Sequence, residues 1–319
     1  MTLRIASVMP RACGRFAPTP SGALHFGSLI AAFASCLEAR TREGDWLLRM
    51  EDADTPRNVP GAADEILRTL EKHGFSWDAP VLWQSRRADA YRAAFDALRR
   101  DGWLYPCGCS RAAIAAANPE RAVDGGFVYP GFCRNRSVTQ GELSSCAWRM
   151  KVSAFPFAGF DAREVSFVDA IQGTVVQNLE RAVGDFVLRR ADGFFAYQLT
   201  VVVDDAWQGV THIVRGADLL DSTARQIYLQ RALGLQTPEY AHLPVAVNDA
   251  GEKLSKQTHA APLDASRAAE NLFRALVFLG QSPPPALGRA AVSELWEWAL
   301  LNWRTRKIPR QKSRSASEV

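Results

Sequence analysis

No run of roughly 18 apolar residues occurs anywhere in the 319-residue chain, so no stretch reads as a membrane-crossing helix. The opening residues, Met1 to Ala12, lack the apolar core of a secretory signal, and the expected compartment is cytoplasmic. Cysteine is sparse, at 6 residues, which excludes a disulfide scaffold. Three of them crowd into Cys107, Cys109 and Cys133, a pattern that suits metal binding in a reducing compartment. Neither sign of charge dominates: 38 Lys and Arg against 34 Asp and Glu leave +4, which permits a nucleic-acid partner without requiring one. There is no internal repeat, and nothing calls for a partner subunit, so a monomer is expected. What is present, 47% apolar and 23% charged residues, suits a globular protein of one large domain or two modest ones.

The first hundred residues alternate strand and helix patterns. Arg15 to Ala17 reads as strand, Ser28 to Arg40 as helix and Asp45 to Glu51 as strand; helices follow over Gly61 to His73 and Ala88 to Asp101, where Ile66, Leu67 and Leu70 recur at three- and four-residue spacing. This is the opening of a parallel α/β sheet. From Tyr105 to about Arg190 the pattern changes to cysteines, glycines, prolines and short strands such as Trp148 to Val152 and Ala162 to Val168, which predicts an inserted subdomain. The α/β alternation resumes with Phe194 to Val203, a strand at Val210 to Val214, a helix from Ala217 to Leu233 and a strand-like Leu243 to Asn248. Helical patterns close the chain at Ala265 to Leu279 and Leu287 to Trp303. Arg304 to Arg314, with its six basic residues, reads as a fraying solvated tail.

Two phosphate-type motifs stand far apart. His25-Phe26-Gly27-Ser28 closes the stretch from Arg15 at a predicted helix start, where unpaired backbone N–H groups and the positive dipole end favour an anion. Gly27 admits a phosphate close to the backbone, and His25 lies where it can hydrogen-bond an α-phosphate. Lys253-Leu254-Ser255-Lys256-Gln257 is a lysine-rich loop able to cover departing phosphates. Together they predict an adenylate-forming site.

Arg15, Glu51, Tyr197 and Arg215 each fall at or just after a predicted strand, where an open α/β sheet gathers its ligand. Two guanidiniums, a carboxylate and a phenol suit an acidic amino acid. Asp204, Asp205 and Asp218 flank the same edge, as helix charges or as ligands of a nucleotide or an ammonium group. Cys107, Cys109 and Cys133 offer three thiolates; Tyr129 and Cys146 compete as a fourth ligand, and zinc is the expected metal. Cys13 and Cys36 read as unreactive core or surface thiols.

From Arg15 to about Gln257 the chain resembles class I aminoacyl-tRNA synthetases of the glutamyl branch. Arg15-Phe16-Ala17-Pro18-Thr19 before His25-Phe26-Gly27-Ser28 is similar to that family's His-Ile-Gly-His region, and Lys253 to Gln257 to its Lys-Met-Ser-Lys-Ser loop. Arg49 to Arg57, Asp204-Asp205 and Val214 to Leu220 are similar as well. Ser28 stands where a second histidine is usual, and Gln257 where Ser or Arg is. With only 63 residues after Lys256 there is no room for anticodon-reading domains, and this shortness, with Cys107, Cys109, Tyr129 and Cys133, resembles the short paralogues that glutamylate queuosine in tRNA(Asp).

The resemblance implies a Rossmann-like parallel sheet in two halves, 1–104 and 191–257, an inserted zinc-binding α+β subdomain over 105–190, and a short helical region over 258–319 without an anticodon-binding domain. It implies tRNA-independent activation of glutamate by ATP with Mg²⁺, then transfer to the queuosine-containing tRNA(Asp). Glutamate would be held by Arg15, Phe16, Ala17, Pro18, Thr19, Glu51, Tyr197 and Arg215, and ATP by Pro18, His25, Gly27, Ser28 and Lys256. His25, Lys253 and Lys256 would be catalytic, and one structural zinc would bind Cys107, Cys109, Tyr129 and Cys133. Competing readings are a glutamyl-tRNA synthetase that charges an acceptor end, a non-catalytic tRNA- or amino-acid-binding paralogue, and a small-molecule ligase with the same nucleotide motifs.

Overall fold

A computed structural model describes residues 11–136, 142–152, 164–254 and 261–318. The elements in chain order are β1 (Cys13–Phe16), α1 (Phe26–Arg40), β2 (Asp45–Met50), α2 (Ala62–Lys72), β3 (Leu82–Trp83), α3 (Ala88–Arg100), β4 (Leu104–Cys107), α4 (Arg111–Ala117), β5 (Ala147–Met150), β6 (Glu164–Asp169), β7 (Gly173–Asn178), α5 (Leu179–Ala182) and β8 (Phe186–Arg189). They continue with α6 (Tyr197–Trp207), β9 (His212–Gly216), α7 (Leu220–Ala232), β10 (Glu239–Leu243), β11 (Val245–Val247), α8 (Ala268–Phe278), α9 (Val292–Asn302) and β12 (Ser313–Ser315).

Seven strands form the main sheet in the order β3-β2-β1-β9-β10-β6-β7. All neighbours run parallel except the β6–β7 hairpin. The chain leaves β1 through α1 to β2 on one side, whereas β9 lies on the other. That reversal opens a crevice beyond the carboxyl ends of β1 and β9, the position at which open α/β sheets bind ligands. Helix α1 is buried along most of its length, with Leu29, Phe33, Ala34 and Leu37 fully covered. It lies close on β1 because Gly14 has no side chain: a Cβ there would come within 3.1 Å of the Ala39 Cβ and 3.3 Å of the Ser35 carbonyl. Helices α8 and α9 pack on the outer side of α1, and their Leu272, Leu276, Leu295 and Ala299 join the same core cluster. A second core lies between the sheet and α3, α6 and α7.

Three expectations change. Phe194 to Val203 is not a strand, since α6 begins at Tyr197; the run FFAYQLTVVV is rich in β-branched and aromatic residues, but the helix is buried on several sides and so lacks the one-faced pattern that marks a surface helix. Within residues 105–190, β6 and β7 belong to the main sheet, and only β4, β5 and β8 form the separate antiparallel sheet. The basic tail is docked rather than frayed: Ser313–Ser315 pairs in parallel with β11, and Arg314 Nη1 donates to the Phe278 carbonyl at 2.6 Å. Smaller shifts follow local chemistry. Leu243 to Asn248 splits into β10 and β11 at Pro244, which has no N–H to continue a ladder.

Candidate active site

His25 is the N-cap of α1, and its Nδ1 accepts the Ser28 N–H at 3.2 Å. With Nδ1 used as acceptor, the neutral ring carries its proton on Nε2. Gly27 brings the two distant motifs together: a Cβ there would lie 3.1 Å from the His25 ring and 3.5 Å from the Leu254 carbonyl. The helix start and the entry to the lysine loop therefore meet in one place. Lys253 is drawn to Asp218, its Nζ 2.6 Å from Oδ2, and the 248–253 turn is closed by hydrogen bonds from the Asn248 and Glu252 amides. Ser255, Lys256 and Gln257 lie outside the described residues.

The segment from Phe16 through Ala17 and Pro18 to Thr19 leaves β1 over the crevice and is pinned to β2, where the Glu51 N–H donates to the Pro18 carbonyl at 3.0 Å. Beneath it lies a buried ion cluster. Asp205 on α6 accepts from Arg15 Nε at 3.0 Å and from Arg49 Nη2 at 2.8 Å, and the same Arg49 nitrogen lies 3.6 Å from Glu51 Oε1. Arg49 also donates to Gln208 at 2.8 Å. Burial works to raise the Asp205 carboxyl, but the Arg15 and Arg49 charges and hydrogen bonds hold it below the usual range. Glu51 goes the other way: burial raises it, and the attraction of Arg49 and Arg15 does not fully offset that. The largely buried Glu51 carboxylate would regain solvation from a substrate ammonium group.

Arg215 forms the opposite wall, on β9. Its Nη1 donates to the Tyr197 hydroxyl at 3.5 Å, its Nη2 to Thr223 Oγ1 at 2.9 Å and to the Leu219 carbonyl at 3.4 Å, and its Nε to His242 Nε2 at 3.1 Å. Burial raises the Tyr197 phenol, so it stays a protonated donor at neutral pH. Arg15, Glu51, Tyr197 and Arg215 thus stand around one crevice, although Tyr197 reaches it from the first turn of a helix and not from a strand.

Arg49, Asp205, His242, Thr223 and Asp169 escaped the reading of the sequence as a connected set. Arg49 fell within the segment Arg49 to Arg57 that resembles the family, but a cation fully buried in the apolar strand β2 gave no sign of its partners. Asp204 and Asp205 hydrogen-bond to different partners. Asp204 turns outward from the crevice to accept from Gln84, Arg87 and Tyr91 at 2.8, 2.6 and 2.7 Å and anchors α6 to α3.

The thiols of Cys107, Cys109 and Cys133 lie within 4.8 Å of one another. The Tyr129 hydroxyl is 3.3 Å from the Cys107 sulfur and 3.7 Å from that of Cys109, whereas Cys146 falls outside the cluster. Zinc–sulfur bonds of about 2.3 Å place two ligands of a tetrahedron roughly 3.8 Å apart, so the donors fit a divalent metal after small side-chain adjustments. Arg149, 4.0 Å over the Tyr129 ring, is the cation beside the cluster. Burial, the Cys133 hydrogen bond and the neighbouring Cys107 and Cys133 sulfurs push Cys109 up to about 11, while the Tyr129 hydrogen bond and Arg149 counter burial at Cys107 and lower it. A metal would resolve that crowding by holding all three as thiolates.

Residues 12–282 match the family of class I tRNA synthetases (E and Q), catalytic domain. A curated glutamyl-Q tRNA(Asp) synthetase of Dechloromonas aromatica (strain RCB) is 59% identical over 298 residues, covering 93% of this chain and 96% of the relative. The chain belongs to the glutamyl-Q tRNA(Asp) synthetase family. Another member, from Chromobacterium violaceum, is 54% identical over 296 residues, covering 93% of this chain and 95% of the relative. Among solved structures, glutamate-tRNA synthetase from Elizabethkingia anophelis superposes with a TM-score of 0.75 at 25% identity, covering 95% of this chain and 68% of that one. A glutamate tRNA ligase from Elizabethkingia meningosepticum CCUG26117, in complex with its amino acid, gives 0.73 at 26% identity, covering 95% and 67%. Family membership and the crevice thus agree on a Rossmann-like class I catalytic core.

Proposed function

We propose that this chain activates glutamate with ATP in the absence of tRNA and then transfers the glutamyl group to the queuosine at the wobble position of tRNA(Asp), the activity of its family. The observation that carries the site assignment is the approach of Gly27 to Leu254, which joins two motifs more than two hundred residues apart at the mouth of the Arg15–Arg215 crevice. Arg15 and the segment through Phe16, Ala17, Pro18 and Thr19, with Glu51, Tyr197 and Arg215, hold glutamate. Glu51 receives its ammonium group, and Arg215 with Tyr197 receives a carboxylate.

ATP lies over Pro18, His25, Gly27 and Ser28 with its α-phosphate toward the bound amino acid. The α-carboxylate oxygen attacks the α-phosphorus, the bond to the β-phosphate oxygen breaks, and pyrophosphate leaves. No side-chain nucleophile is needed: positioning carries the step, and the His25 Nε2–H, Lys253 and Lys256 stabilise charge on the phosphates. For that role Lys253 exchanges Asp218 for a phosphate oxygen. Mg²⁺ would neutralise the polyphosphate while it is bound. In the second step the modified base attacks the acyl carbon, and AMP departs. Zinc on Cys107, Cys109, Tyr129 and Cys133 would have all four positions filled by protein and would serve structure alone.

Glutamate-dependent ATP–pyrophosphate exchange without tRNA tests the first step. Lys256→Ala lowers it by about 10²–10³, the scale for losing one charge-stabilising donor, and an unchanged rate rejects the assignment. Labelled glutamate should appear on an anticodon-arm fragment of tRNA(Asp) after nuclease digestion. Label on the terminal ribose instead would identify an acceptor-end glutamyl-tRNA synthetase.

A further inference from the structure

The two arginine walls of the crevice are held in different ways. Arg15 and Arg49 touch carboxylates directly, sharing Asp205. Arg215 touches none among the described residues; its Nε donates instead to a neutral imidazole, and the carboxylate stands one ring further away. Strand register places these groups in a row. Arg215 on β9 is the direct Cα partner of His242 on β10, and Tyr240, two residues before His242, is the partner of Asp169 at the end of β6. His242 Nδ1 is 2.6 Å from Asp169 Oδ2, and both side chains are completely buried.

We propose that Asp169 and His242 are positioning residues for Arg215: they fix its guanidinium through the Nδ1–H tautomer of His242 and leave its charge for a carboxylate of glutamate. This rests on Arg215 being a glutamate ligand, as proposed above. A guanidinium has five N–H donors. The Nε donor is taken by His242, and the Nη2 donors are directed at Thr223 and Leu219. That leaves the Nη1 edge, where the one hydrogen bond among the described residues is the long one to Tyr197, turned toward the crevice. A carboxylate placed directly on Nε would orient Arg215 equally well but cancel its charge. An imidazole between them transmits the orientation without the cancellation. Burial and the adjacent Arg215 take His242 down to about 4, which keeps the ring neutral in the working range.

The far end of the row dictates the tautomer. Asp169 Oδ1 accepts three backbone N–H groups, from Ile171 at 2.9 Å, Gln172 at 2.8 Å and His242 at 3.1 Å. Only Oδ2 faces the ring, and as an acceptor it requires a proton on Nδ1, which leaves the Nε2 lone pair between Arg215 Nε and the Thr223 hydroxyl, each 3.1 Å away.

Asp169→Asn is therefore the informative variant. The three backbone donors keep the amide oxygen in the Oδ1 position, so the NH₂ group faces His242 and forces the proton to Nε2, against the Arg215 N–H. The glutamate KM in ATP–pyrophosphate exchange should rise roughly 10- to 100-fold, the span for a hydrogen bond to a charged group, with the ATP KM within about twofold. His242→Gln, whose side-chain carbonyl reaches toward the place of Nε2, should recover most of the loss shown by His242→Leu, a rescue that simple packing would not give.

An unchanged glutamate KM in Asp169→Asn, or an equal rise in both KM values, overturns the proposal. Arg215→Lys separates the two levels: if it leaves the glutamate KM unchanged, Arg215 is not a glutamate ligand and the relay falls with it, whereas a raised KM there beside an unaffected Asp169→Asn overturns the relay alone. Should the variants fail to fold, ¹⁵N spectra of the wild-type imidazole decide the matter: a proton on Nε2, or a charged ring at neutral pH, overturns the proposal, and the Nδ1–H form supports it.

Discussion

The ion cluster under the crevice and the thiol cluster of the small subdomain are both sets of like or opposing charges brought close together, yet they are stabilised by opposite means. Arg15, Arg49 and Asp205 come from β1, β2 and α6, with Glu51 just past the end of β2, and the protein core holds them in place before any ligand arrives. Among the described residues, Cys107, Cys109, Tyr129 and Cys133 sit in a cluster whose further apolar members are Ile114 and Tyr105, buried, and Phe127, half-buried. A core of that size gives the loop little order of its own, and the metal proposed above would hold the three sulfurs as thiolates. A large core can therefore hold preorganised charge by packing alone, whereas the small one would gain its order from a bound cation.

The largest departure should come from the thiol cluster. Cys133→Ala is expected to lower bound zinc from about one per chain to none, and to remove hydrogen-exchange protection around β4 and Tyr129 while the main sheet keeps its own. Metal analysis and exchange on the same samples would check both halves; retained zinc would show that Cys133 is no ligand.

Next comes the ion cluster. Asp205→Ala leaves two buried guanidiniums without their shared carboxylate and should cost about 3–5 kcal/mol, measured by denaturant unfolding. A loss below about 1 kcal/mol would mean that the core does not enforce the pairing.

Glu51 sharpens the contrast within one cluster. Its folded carboxyl is raised above the ordinary 4.5 by burial, so it binds its proton more tightly folded than unfolded, and its ionisation removes stability as pH rises through that interval. Asp205 is lowered below 3.8, so the stability it contributes is present above that value and disappears as pH falls through the folded pKa. Glu51→Gln should thus raise stability at neutral pH by about 1 kcal/mol, the scale of one buried polar group, while weakening glutamate binding. Thermal melts between pH 4 and pH 7 should show that advantage growing with pH.

The smallest effect concerns the docked tail. Deleting Ser313 to Glu318 removes the parallel partner of β11, the strand that leads into the lysine loop through the Val247–Lys253 bridge. A loss of about 1 kcal/mol in stability, with a few-fold slower exchange reaction, is expected because the loop must then be ordered without that support. Exchange at the wild-type rate would show β12 to be a passive attachment.

What could be read along the chain was local. The thiol spacing, the helix start at His25 and the strand-helix alternation through α3 depend on neighbours a few residues apart, and the resemblance to class I synthetases rested on such segments. Tyr197, read as a candidate site residue, was assigned to the wrong kind of element, because an apolar β-branched run has the same composition in a buried helix as in a strand. The tail misled for a similar reason: its six cations disguise Ile308 and Ala316, which are buried in the core cluster.

The sequence by itself determined the class of sheet, the two phosphate motifs, the three nearby thiols and the resemblance to a family. Only the tertiary structure decided which charges meet. Arg15 finds Asp205 across 190 residues because α6 packs against the sheet, and His242 finds Asp169 across 73 because parallel strands distant in the chain become neighbours. The physical reason is the steepness of the interactions: a hydrogen bond or a buried ion pair acts over a few ångströms, and those separations come from packing the whole core.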